Sequence, residues 1–169
     1  MEFGGHALIF CDIDGVLTRL RDENGNPDPS HFLNHFYDQY GPKQILVDRV
    51  ITLAMEYDAR IIITSNWRRH PEIIDRGDHV LRSPLKKAIS MFGILYACTL
   101  PPDENVNKAE QMMLFEEDNG RIKVPFVIFD DFDEGFNENF AYSQHFVKID
   151  PRNGITDADL DKARRILSQ

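Results

Sequence analysis

Asp12 and Asp14 stand two residues apart where the apolar run Ala7-Leu8-Ile9-Phe10-Cys11 ends. On an extended chain residues i and i+2 face the same way, so both carboxylates are expected to aim at one spot. Two carboxylates side by side at the mouth of an apolar strand repel each other unless a cation lies between them. A small number of oxygen ligands suits Mg²⁺, which keeps waters and takes phosphate oxygens as further ligands. The chemistry expected here is that of a magnesium-dependent phosphate site.

Three further segments carry groups that fit such a site. Thr64-Ser65-Asn66 follows the apolar run Ile61-Ile62-Ile63. A hydroxyl at a strand tip, followed by a turn with outward backbone N–H groups, makes a neutral phosphate cradle. It would hold a phosphoryl oxygen as charge redistributes in the transition state. Lys108 opens a helical pattern, and an ammonium fixed there would offset the repulsion between Asp12 and a bound phosphate. Lys86 and Lys87 compete for that task but come too early in the chain. Asp130-Asp131 ends the apolar run Pro125-Phe126-Val127-Ile128-Phe129, and on an extended chain the two would face opposite ways. Asp133 and Glu134 read as solvated. Arg68 and Arg69 are candidate anion contacts, with a solvated pair an equal alternative. His31 and His35 have helix-face ligand spacing but lack a third partner.

These groups need a scaffold that brings strand ends together. The run into Asp12 is too short for a helix and reads as a buried strand of a parallel sheet. Further strands are expected at Arg60–Asn66, Ile94–Cys98, Pro125–Asp131 and His145–Ile149. Helices are expected at Ser30–Tyr40, at Lys43 to about Tyr57 with Ile45, Leu46, Val50, Leu53 and Ala54 on one face, at Leu85–Phe92, at Val106–Glu117 and at Asp157–Leu167. Strands alternating with helices imply a sheet covered on both faces by right-handed crossovers. The expected fold is a single doubly wound α/β domain over residues 1–169, with about five parallel strands. Ligands of such sheets sit at the strands' carboxyl ends. Residues 18–42 leave room for at most a small cap, where Phe32, Phe36 and Tyr40 favour core packing over stacking on a base.

The chain has 169 residues and a net charge of −9. That length suits one domain, and that charge argues against broad attraction to nucleic acid or anionic membrane. No apolar run approaches a membrane span, and the start has no secretory pattern. Cys11 and Cys98 read as small buried hydrophobes of a reducing compartment, so a cytoplasmic location is expected.

The segment Asp12-Ile13-Asp14-Gly15-Val16-Leu17-Thr18 resembles the first motif of the haloacid dehalogenase (HAD) superfamily. Thr64-Ser65-Asn66, Lys108 and Asp130-Asp131 are similar to its second, third and fourth motifs, in the same order. The tetrapeptide Ser65-Asn66-Trp67-Arg68 and the tail Asp150–Leu160, with its Gly154-Ile155-Thr156, look like the HAD-like domain associated with Swiss-Army-knife RNA repair proteins. The resemblance implies an HAD-type phosphatase in which Asp12 is the nucleophile and Asp14 the general acid and base. It implies that Ser65 and the Asn66 backbone hold phosphate, with Thr64 the fallback, and that Lys108 assists. Mg²⁺ would be held by Asp12, the Asp14 backbone carbonyl and Asp131, with Asp130 acting from behind or through water. Dehalogenase members lack the second aspartate, so phosphatase chemistry is favoured. A phosphorylated small molecule or nucleotide is the expected substrate. A nucleic-acid end, or an idle phosphate- or metal-sensing module, is the alternative.

Overall fold

The structure, a computed structural model, describes residues 6–19, 26, 43–65 and 106–169. The helices expected at 30–40 and 85–92, the strand expected at 94–98, and most of the 18–42 cap lie outside the described residues. So do His31, His35, Asn66, Trp67, Arg68, Arg69, Lys86, Lys87 and Cys98. The elements are β1 (Leu8–Cys11), α1 (Gln44–Glu56), β2 (Arg60–Ile63), α2 (Lys108–Asn119), β3 (Phe126–Asp130), α3 (Phe140–Ser143), β4 (Phe146–Lys148) and α4 (Asp157–Leu167). Four described strands form one parallel sheet in the order β2-β1-β3-β4.

Period-two alternation divides the core between the two faces of this sheet. Ile9, Cys11, Ile61, Ile63, Val127 and Phe129 pack with Leu46, Val50, Leu53 and Ala54 of α1 and with Leu160, Ala163 and Leu167 of α4. Leu8, Phe10, Ile62, Phe126 and Ile128 pack on the other side with Ala109, Met112 and Phe115 of α2, joined by Phe136 and Tyr142. Strands buried on both faces explain the uninterrupted apolar runs of β1 and β3. The doubly wound α/β reading is therefore correct.

Several details differ from expectation. Ile45 does not share the buried face of α1: it is 56% exposed, and Val47 is buried instead. A residue turns about 100° around a helix, which carries Ile45 off the stripe made by Leu46, Val50 and Leu53. Helix α2 begins two residues later than the apolar pattern suggested, because Asn107 caps it. The Asn107 side chain accepts from the Glu110 N–H and the Glu110 carboxylate accepts from the Asn107 N–H. The one-turn helix α3, capped by Asn139, was not expected. Among the described residues, no helix is long and apolar enough to cross a membrane.

Candidate active site

Strands β1 and β3 are neighbours in a register that pairs Cys11 with Phe129. Asp12 and Asp130 therefore leave the sheet level with each other, on the face covered by α2. Lys108, the first residue of α2, meets them there. Its Nζ donates to Asp130 Oδ2 at 2.6 Å and lies 3.0 Å from Asp12 Oδ2. All three are buried, with Asp130 0% exposed. Their remaining oxygens are also used: Asp12 Oδ1 accepts from the Ile13 N–H at 2.8 Å, and Asp130 Oδ1 from the Phe132 N–H at 3.0 Å. Burial works against the charge on Lys108, but Asp12 and Asp130 outweigh it and hold the ammonium above the usual lysine range. The loop after β3 seats this helix end: the Ala109 N–H donates to the Glu134 carbonyl at 3.1 Å.

Asp131 completes the cluster. One carboxylate oxygen from each of Asp12, Asp130 and Asp131 lies within 4.8 Å of the others. The two adjacent aspartates were expected to face apart, but β3 ends at Asp130, and beyond it the chain no longer alternates. Gly15 admits the Asp131 side chain. It has φ +70°, and a Cβ there would stand 2.5 Å from Asp131 Oδ2. Burial, then the charge of Asp12, pushes the Asp131 carboxyl up to about 6. Burial and Asp12 likewise raise Asp130, against the pull of Lys108.

This donor set fits a divalent cation. Three carboxylates against one ammonium leave two negative charges, and hard oxygen donors suit Mg²⁺ or a similar ion. Burial first, and then the like charge of Asp12, raise the Asp130 and Asp131 carboxyls, and a cation among them would offset the second of these.

Asp14 is half-buried, and its charge adds to the rise at Asp131. It is not one of the three clustered carboxylates. Strand β1 ends at Cys11, so the direction of Asp14 is set by a turn and not by strand alternation. In that turn the Ile13 carbonyl accepts from the N–H groups of Val16, Leu17 and Thr18, and the Thr18 hydroxyl accepts from the Gly15 N–H at 3.0 Å. Thr64 and Ser65 are both buried at the exit of β2. The Thr64 N–H donates to the Cys11 carbonyl at 3.0 Å, which puts this exit beside Asp12. Asp133 and Glu134 lie outside the cluster. Asp133 accepts from the Asn137 backbone and side chain. Gly15 and the Phe132 N–H were not singled out in the sequence. Gly15 stood in the sequence only as one member of the first motif, and the packing of Asp131 against it gives it a purpose.

A family model for the HAD domain in Swiss Army Knife RNA repair proteins matches residues 8–160. No curated protein and no solved structure matches the chain. The matched span runs from the start of β1 into α4 and contains all the acids of the cluster and Lys108. At the superfamily level the match supports a phosphatase-type hydrolase function, and the buried carboxylate cluster could hold a divalent metal. The chain belongs to the family of HAD domains of Swiss Army Knife RNA repair proteins.

Proposed function

We propose that the protein is a Mg²⁺-dependent phosphomonoester hydrolase working through an aspartyl-phosphate on Asp12. The observation that carries this reading is the buried Lys108 clamped between Asp12 and Asp130, with Asp131 closing the group. Asp12 and Asp131, with the Asp14 carbonyl, would hold the ion, and Asp130 would act from behind. When bound, the cation supplies charge neutralisation between the phosphate and Asp12 and orients the phosphoryl group.

The residues then divide the chemistry. A carboxylate oxygen of Asp12 attacks phosphorus, and the bond from phosphorus to the ester oxygen breaks. Asp14 gives its proton to the departing alkoxide, so an alcohol leaves. Water attacks phosphorus next, Asp14 takes the proton back, and the Asp12–phosphorus bond breaks to free phosphate. Lys108 keeps Asp12 in place and offsets the negative charge that gathers. Ser65, with the Asn66 N–H, holds a phosphoryl oxygen; Thr64 is the neighbouring alternative. Arg68 is the further candidate contact to the substrate's phosphate.

The substrate is a phosphorylated small molecule or nucleotide. The family's description favours a second reading, a nucleic-acid end, and the net charge of −9 opposes long polyanionic contacts. A screen of nucleotides, sugar phosphates and 3′- or 5′-phosphorylated oligonucleotides separates the two. Asp12→Asn is expected to abolish hydrolysis of p-nitrophenyl phosphate in Mg²⁺ with the fold intact by circular dichroism, and EDTA to silence the wild type. Full turnover by the variant, or activity in EDTA, would overturn the reading.

A further inference from the structure

The tail segment around Gly154-Ile155-Thr156 has no part in the chemistry above, yet it is built against the turn that carries Asp14. The Ile155 N–H donates to the Val16 carbonyl at 2.9 Å, and the Arg19 Nε donates to the Asn153 carbonyl at 3.1 Å. Gly154 has φ +64°, and a Cβ there would stand 2.6 Å from Leu46 Cδ1, 2.9 Å from the Val16 carbonyl oxygen and 3.2 Å from that of Thr18. Leu46 can swing away. The two carbonyls are backbone, so they move only if the turn moves. The tail is itself anchored: Arg49 Nη1 donates to the Ile155 carbonyl at 2.9 Å and Arg49 Nε to Asp157 at 3.1 Å. Thr156 and Asp159 cap α4 reciprocally just beyond. Residues 13–18 are thus held by the end of β1, by the Lys43 N–H, which donates to the Leu17 carbonyl at 2.8 Å, and by a strap contributed from more than a hundred residues away.

We infer that the Asn153–Ile155 strap is a positioning element of the reaction, fixing the 13–18 turn and with it the placement of Asp14. The inference rests on the reading of Asp14 as general acid. A short loop bonded only to itself would leave a carboxyl free to wander, and small displacements of a catalytic group are costly. The Lys43 bond restrains the turn at Leu17, and the close approach of Gly154 restrains it on either side of that point, at the Val16 and Thr18 carbonyls.

A general acid matters most where the leaving group is a poor one. Departing p-nitrophenolate needs little protonation, whereas an alkoxide needs it fully. The test compares kcat/KM of the full chain in Mg²⁺ for p-nitrophenyl phosphate and for 2-glycerophosphate. Asp14→Asn sets the scale, with the aryl-to-alkyl ratio rising by roughly 10²-fold or more. Gly154→Ala should raise that ratio by about tenfold through misplacement of the same group. Arg19→Ala removes an exposed bond with little risk to folding and should raise it in the same direction by about twofold. Loss of folded protein lowers both activities equally and leaves the ratio alone. Hydrogen exchange gives the second readout: the amides of Val16, Leu17 and Thr18 should exchange faster in Gly154→Ala while those of Val127–Phe129 do not change. An unchanged ratio in both variants, or unchanged exchange in the turn, overturns the inference. A wild type silent on both substrates instead overturns the phosphatase reading on which it rests.

Discussion

Lys108 is the residue whose environment says most. A lysine at a helix start is by itself an unremarkable feature, and its assignment in the sequence depended on order and spacing. Packing adds what spacing could not: its ammonium is buried and bridges two acids that come from different strands. Removing it leaves Asp12 and Asp130 facing each other without a counter-charge. Lys108→Met is therefore expected to destabilise the metal-free protein by about 3–5 kcal/mol near neutral pH, measured by denaturant unfolding. The loss should shrink as pH falls, because burial and Asp12 already raise the Asp130 carboxyl and a proton then replaces the missing cation. A loss of the same size at all pH values would contradict this account of Lys108. The residue roles were legible because chemistry-bearing types are rare within apolar runs. The direction of Asp131 was not: it lies just past the end of β3, where alternation stops applying.

Elements were legible wherever burial imposes a period. Helix α4 runs over Asp157–Leu167, as expected, because its apolar stripe and its cap agree. Helix α2 was displaced by two residues because its apolar positions are less orderly, with Met113 and Leu114 exposed among them. The better signal was the Asn107-to-Glu110 spacing of a reciprocal cap. That cap also fixes where Lys108 stands. Asn107→Ala is expected to cost about 1 kcal/mol of stability, read from the shift in the unfolding midpoint. No measurable shift would mean that the loop through Glu134 alone seats the helix. The strap formed by Gly154 and Ile155 shows the opposite case. Its sequence was recognisable, but its purpose depends on a contact between distant parts of the chain, which no local pattern reveals.

At the scale of the whole molecule, a parallel sheet with helices on both faces collects acids at one end of two adjacent strands. That arrangement opposes stability when no cation is present. The fold favours protonated Asp131, whose carboxyl burial and Asp12 push up to about 6. In the metal-free protein its contribution is therefore greatest below the ordinary carboxylate range and is lost as pH rises through about 6. A cation must displace that proton, so binding strengthens over the same interval. The most direct test is calorimetric titration of the metal-free full chain with Mg²⁺, at a pH well above that value and again below it, with Asp131→Asn alongside. The account predicts one ion per chain at the higher pH, an affinity at least about tenfold weaker at the lower, and no measurable uptake by the variant. Equal affinity at both pH values, or binding by Asp131→Asn as tight as by the wild type, would contradict it.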